Sequence, residues 1–235
     1  MASHTTAIVL AAGQGKRMQS KVQKQYLLLA DKPVLYYSLK AFEDSFIDQI
    51  ILVVGKGEEE YCRKEIVDKY SFSKVTAIVE GGKERYHSVA NGVKAISNTT
   101  DYVFVHDGAR PFVTLEVLER ALEQVKLTDA CVVGMPVKDT VKISDEEGFV
   151  EITPPRARVW QVQTPQVFGH AVIASAYKKL IEQEDTLIKQ GILVTDDAMV
   201  VEFFEKKKVK LVEGSYQNIK ITTPEDLNIA ESFLQ

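Results

Sequence analysis

Residues 6–24, TAIVLAAGQGKRMQSKVQK, set a glycine turn, Gly13-Gln14-Gly15, directly after an apolar run and follow it with Lys16, Arg17, Lys21 and Lys24. Glycine lets a backbone turn sharply and bring its N–H groups close to a ligand. Donors of that kind cradle phosphates. The spacing matches neither a P-loop nor the dinucleotide fingerprint, because no Ser or Thr follows Lys16 to hold magnesium. On the glycines alone, an ordinary strand-to-helix turn flanked by solvated cations accounts for the pattern. Four cations within nine residues, directly after a buried strand, move the reading toward a triphosphate, whose counter-charge they would supply. Two more loops hold residues with chemistry: Gly81-Gly82 followed by Lys83-Glu84-Arg85-Tyr86-His87-Ser88, and His106-Asp107-Gly108-Ala109-Arg110-Pro111. Asp107 is an acid at a strand end, placed to hold Mg2+, which takes one or two carboxylates together with phosphate oxygens and water. Capping the turn that follows accounts for Asp107 equally well.

The elements that must position these loops follow from hydrophobic patterning. Continuous apolar runs at 7–10, 50–54, 75–79, 102–105 and 130–135 read as buried strands. Helical periodicity fills the intervals at 33–41, 56–70, the stretch after Gly82 with Val89, Val93 and Ile96 on one face, and 115–125. This alternation predicts an α/β fold, a mainly parallel sheet with helices on both faces. Such sheets bind ligands outside the carboxyl ends of their strands, where all three loops lie. Glu58-Glu59-Glu60 is read as a first helical turn, with carboxylates at the positive dipole end and no ligand. The rhythm breaks over 136–163, where alternating residues around the turn at 145–148 predict a β-hairpin leaving the sheet. Its Val141, Ile143, Phe149, Val150 and Ile152 are too apolar to stand bare. A homodimer through this β-arm is therefore expected. Helices at 172–181 and 196–205, strands at 209–212 and 219–221, and a helix at 224–234 capped by Thr222 or Thr223 complete the chain; Thr195-Asp196-Asp197 caps the second of these helices.

The chain of 235 residues is expected to form one domain over 1–235, with 45% hydrophobic and 26% charged residues. A net charge of -4 argues against a protein that wraps nucleic acid. Cys62 and Cys131 form no CxxC pair, so two reduced thiols in a cytoplasmic protein are expected. No run approaches a membrane span and the N-terminus reads as free of a signal peptide.

The order of motifs resembles the 2-C-methyl-D-erythritol 4-phosphate cytidylyltransferases. The likeness rests on Ala11-Ala12-Gly13-Gln14-Gly15-Lys16-Arg17-Met18 with Lys24-Gln25-Tyr26, Gly81-Gly82 with Arg85 and Ser88, and residues 106–112. It continues through Pro136-Val137-Lys138-Asp139-Thr140, Thr164-Pro165-Gln166, Thr195-Asp196-Asp197-Ala198 and Asn218-Ile219-Lys220. It implies a Rossmann-like nucleotidyltransferase fold with a β-arm dimer, CTP as co-substrate, Mg2+, and a place in non-mevalonate isoprenoid biosynthesis. By resemblance, Arg17 and Lys24 stabilise charge on the α-phosphate and pyrophosphate, while Arg156 and Lys220 position the incoming phosphate. The backbone of Leu10, Ala11, Ala12 and Gly13, with Gly82, Arg85 and Ser88, holds the cytidine, and Asp107 carries Mg2+. Arg110, Thr140, Thr164 and Thr195 are further substrate contacts, and Thr140 and Arg156, on the arm, serve a neighbouring subunit. Ribitol 5-phosphate cytidylyltransferases share the same cations and are the nearest alternative; a non-catalytic nucleotide sensor is a remote one. Lys83 departs from the family pattern, standing where members often carry an acid, and Gln217 stands where some members carry Asp.

Overall fold

Each of the five apolar runs is a strand in the computed structural model, which describes residues 3–13 and 23–234. In chain order the elements are β1 (Thr5–Ala11), a 3-10 turn Lys24–Tyr26, a small hairpin of β2 (Leu28–Leu29) and β3 (Lys32–Pro33), α1 (Val34–Glu43) and β4 (Gln49–Val54). Next come α2 (Glu59–Cys62), continued by a π-helical stretch Arg63–Asp68, then β5 (Val75–Glu80), α3 (Arg85–Lys94), β6 (Tyr102–Asp107), α4 (Leu115–Thr128) and β7 (Ala130–Pro136). The remainder is β8 (Ile143–Ser144), β9 (Val150–Ile152), β10 (Trp160–Gly169), α5 (His170–Lys189), α6 (Asp197–Glu205), β11 (Lys210–Glu213) and α7 (Pro224–Ser232). Among the described residues no helix is long and apolar enough to cross a membrane.

The main sheet runs β11-β7-β10-β6-β1-β4-β5, parallel except for β10, which is antiparallel to both of its neighbours. Successive side chains on a strand face opposite ways. Ala7, Val9 and Ala11 of β1 join the layer built by α1, α2 and α4, and Ile8 joins the layer of α3, α5 and α6. The chain passes from β1 outward to β4 and β5, then crosses back to β6 on the other side of β1. That reversal opens a crevice between β1 and β6, whose ends are in register at Leu10 and Asp107.

Three expectations change. Residues 160–163 do not belong to an arm: Trp160, Gln161 and Val162 pair with Pro136, Met135 and Gly134 in the main sheet. The ribbon that leaves the sheet is the shorter β8–β9 pair, with Ile143, Phe149, Val150 and Ile152 exposed. Residues 219–221 are not a strand but an irregular segment. Ile219 and Ile221 pack with Leu29, Val34 and α7 in a third cluster, and Lys220 between them turns away toward β6.

Helix α7 covers that cluster and begins with a capping box: Thr223 accepts from the Asp226 N–H at 3.4 Å, and Asp226 accepts from the Thr223 N–H at 2.9 Å. Thr223→Ala should cost about 1 kcal/mol, read as a lower urea midpoint with an unchanged slope.

Candidate active site

The crevice at the β1/β6 switch is a cleft of about 610 Å³. Its walls are formed by the turn Leu10–Gly13 with Lys24 and Gln25, the Gly82–Arg85 loop with Ser88, and Asp107, Ala109 and Lys220. Close packing explains the glycines. A Cβ on Gly81 would lie 2.4 Å from the Cβ of Ala12, and one on Gly82 would lie 2.2 Å from the Cβ of His87. The missing Cβ of Gly81 therefore lets this loop approach the β1 turn, and that of Gly82 lets the loop fold tightly onto the start of α3. Ser88 reinforces the turn, its hydroxyl accepting from the Gly82 N–H at 3.0 Å.

Asp107 is the hub. Its Oδ2 lies 2.8 Å from Lys220 Nζ and 3.6 Å from Arg110 Nε, and its Oδ1 lies 3.5 Å from Arg85 Nε. Burial opposes its ionisation, but Lys220, Arg85 and Arg110 outweigh that and hold the carboxyl far below the usual carboxylate range. Arg85 in turn forms a two-pronged pair with the fully buried Asp197, both contacts 2.8 Å, and the Tyr177 hydroxyl donates to the same carboxylate. Burial works against the Arg85 charge, and Asp197 and Asp107 together more than offset it. Asp196 caps α6, accepting from the Met199 N–H at 2.9 Å, which turns Asp197 inward.

Behind Asp107, His106 is fully buried. Its Nε2 faces the Arg110 carbonyl at 3.1 Å, so Nε2 carries the proton and Nδ1 accepts from the Thr164 hydroxyl, also at 3.1 Å. The Thr164 oxygen accepts the Asp107 N–H at 3.0 Å. His106 thus holds the loop by hydrogen bonds.

Of the residues singled out from the sequence, Leu10, Ala11, Ala12, Gly13, Lys24, Gly82, Arg85, Ser88, Asp107 and Lys220 all line the cleft. Arg17 lies outside the described residues. Thr164 is buried behind the wall, and Arg110 lies against Asp107 while donating to the Asn218 carbonyl at 2.8 Å. Thr195 is exposed before α6, its hydroxyl 3.6 Å from the Met199 sulfur. Thr140 and Arg156 are exposed near the ribbon and line no part of this cleft; Arg156 donates to the Lys138 carbonyl at 3.1 Å. Gln25, Lys83, Glu84 and Ala109 also line the cleft but were not singled out for it. Asp197 was read as part of a helix cap and of a family motif, with no role in the site. Its partner Arg85 is 112 residues away, so no local spacing signals the pair.

The family model for 2-C-methyl-D-erythritol 4-phosphate cytidylyltransferase matches residues 5–235. The chain belongs to this cytidylyltransferase family. A relative of that name from Lachnoclostridium phytofermentans is 53% identical over 98% of this chain and 96% of its own length. One from Lachnospira eligens is likewise 53% identical, over 98% and 99%. Among solved structures, a 4-diphosphocytidyl-2C-methyl-D-erythritol synthase from Anaerococcus prevotii superposes with a TM-score of 0.85 at 36% identity, covering 99% of this chain and 96% of that one. The Thermus thermophilus cytidylyltransferase gives 0.75 at 29% identity, covering 97% of each. The Rossmann-like nucleotidyltransferase fold of the family is thus the fold described above.

Burial lowers the His106 pKa to about 4, against 6.5 for a free imidazole. Between these values the unfolded chain binds the extra proton, so stability falls as pH drops from 6.5 and levels off below 4. The full effect is on the order of 3 kcal/mol. Urea titrations of the nucleotide-free protein across this range should show the loss, and His106→Gln should remove that part of the slope.

Proposed function

We infer that the cleft holds CTP against the phosphate of 2-C-methyl-D-erythritol 4-phosphate. As a member of its family the chain is a nucleotidyltransferase of isoprenoid biosynthesis. It transfers CMP to that phosphate, giving 4-diphosphocytidyl-2-C-methyl-D-erythritol and pyrophosphate. The observation that carries this reading is the meeting of Lys24, Arg85 and Lys220 in one cleft at the switch point of the sheet.

An oxygen of the acceptor phosphate attacks the α-phosphorus of CTP. The new P–O bond forms as the bond to the β-phosphate oxygen breaks, and pyrophosphate leaves with the electron pair. A phosphate monoester has its second pKa near 6, so at neutral pH no base need remove a proton. What remains is positioning and stabilisation of charge. Lys24, with Arg17, acts on the charge growing at the α-phosphate and the departing pyrophosphate. Lys220 receives the acceptor phosphate. The backbone at Leu10–Gly13 and Gly82–Ser88 seats the cytidine.

The donor set suits Mg2+ carried by the nucleotide rather than by a protein cage. Among the described residues no group of three or more His, Cys, Asp or Glu side chains is placed to hold a metal. Asp107 offers one ionised carboxylate on the cleft wall, and Mg2+ takes one or two together with phosphate oxygens. Bound there, Mg2+ would neutralise triphosphate charge, and Lys220 and Arg85 would be released from Asp107 toward phosphate.

The ribbon serves a second copy of the chain. The support is its bare apolar face, with Phe149 68% exposed, and the fact that Thr140 and Arg156 do not line their own cleft. A cytoplasmic setting belongs to the same reading, consistent with free, buried thiols at Cys62 and Cys131.

Pyrophosphate release from CTP and Mg2+ should require methylerythritol phosphate. Release with ribitol 5-phosphate alone would move the protein to the other polyol, and CTP binding without release would make it a sensor. Lys24→Ala should lower turnover at least about 100-fold, the scale of one lost transition-state donor. Light scattering at micromolar concentration should give twice the chain mass; a monomeric mass would remove the shared site.

A further inference from the structure

We propose that Glu58 is a positioning residue that holds Lys24 in place for the reaction. This rests on the role given to Lys24 above. Glu58 ends the turn after β4, and its carboxylate folds back over Gly55, accepting that residue's N–H at 3.1 Å. A Cβ on Gly55 would lie 2.7 Å from the Glu58 carboxyl carbon, so glycine leaves the room the carboxylate uses. The same carboxylate reaches both sides of Lys24. Its Oε2 accepts from the Tyr26 hydroxyl at 2.8 Å, and its Oε1 accepts from the Gln23 side-chain amide.

The turn around Lys24 is tied down elsewhere as well. Gln25 is 2% exposed, and its amide donates to the Ala11 carbonyl at 2.6 Å and to the Gln23 side chain. The 3-10 turn Lys24–Tyr26 is thereby joined to the ends of both β1 and β4. Tyr26 also packs edge-on against Tyr61, ring centroids 5.2 Å apart. The phenol has one proton and donates it in the hydrogen bond to the carboxylate. The Cys62 thiol, 2.9 Å from the phenol oxygen, is therefore the donor in that contact. Burial and these neighbours keep the Tyr26 phenol protonated, and burial pushes the Cys62 thiol up to about 11, so both donors stay in place at neutral pH.

A carboxylate accepts on both oxygens, whereas an amide accepts on one and donates from the other side. Glu58→Gln therefore cannot receive Gly55, Tyr26 and Gln23 together, although it preserves shape. Displacing a reacting group by about 1 Å can cost on the order of 100-fold.

The test is a cycle of steady-state kinetics on Glu58→Gln, Lys24→Ala and the double variant, with melting temperatures measured alongside. Glu58→Gln is expected to lower kcat roughly 10- to 100-fold while KM for CTP changes less than about threefold. In the Lys24→Ala background the same change should cost less than about twofold, because residues acting as one unit do not add. Tyr26→Phe, which removes a single donor, should lower kcat in the same direction even if Glu58→Gln folds poorly. Undiminished kcat in both Glu58→Gln and Tyr26→Phe, or an equal loss with and without Lys24, overturns the proposal alone. Undiminished kcat in Lys24→Ala overturns the role of Lys24 and the proposal with it.

Discussion

A nearly buried carboxylate at the end of β6 stays ionised because Lys220, Arg85 and Arg110 surround it. These three cations come from separate parts of the chain: the irregular segment before α7, the start of α3, and the turn after β6. Asp107 therefore gathers segments that no shared element connects. Asp197 supplies a second, fully buried carboxylate for Arg85, and Lys24 lines the same cleft. A phosphate entering the cleft meets these cations and need not break an apolar contact to do so.

The geometry of the sheet explains why this happens where it does. Reversal of strand order leaves the ends of β1 and β6 adjacent, and the helix layers on the two faces cannot both close over that point. Gly81 lets the α3 loop press against Ala12 from one side. Ile221, buried, and Ile219, half-buried, pack with α7 and set Lys220 from the other. The apolar clusters thus aim the charged groups, and stability and function share the same residues in neighbouring positions.

Much of this was legible in the sequence. Five apolar runs alternating with amphipathic stretches give the parallel sheet, and the glycine and Asp107 loops fall at strand ends as expected. Strand β10 was hidden because Gln161, Gln163 and Gln166 break the apolar run and Pro165 argues against a central strand. The structure accommodates Pro165 at a register shift between Val162 and Gln166. Lys220 was assigned to a strand because isoleucines flank it, yet those isoleucines pack on α7 rather than on a sheet. Glu58 read as one of three acids in a helical turn, and nothing in its spacing reveals that its carboxylate turns back to Gln23 and Tyr26. Local patterns report periodicity; contacts between residues 30 or 110 positions apart require the fold.

The role of Asp107 as the tie between segments is tested most directly by hydrogen exchange on Asp107→Asn without nucleotide. The amides of Gly82 and Ile221, bonded to Ser88 Oγ at 3.0 Å and to the Ala109 carbonyl at 2.8 Å, report on two of the gathered segments. Loss of the ion pairs should speed exchange at both by about tenfold or more, with the β1 and β4 amides unchanged. Wild-type protection at Gly82 and Ile221 in the variant would show that packing alone assembles the cleft, contradicting the account.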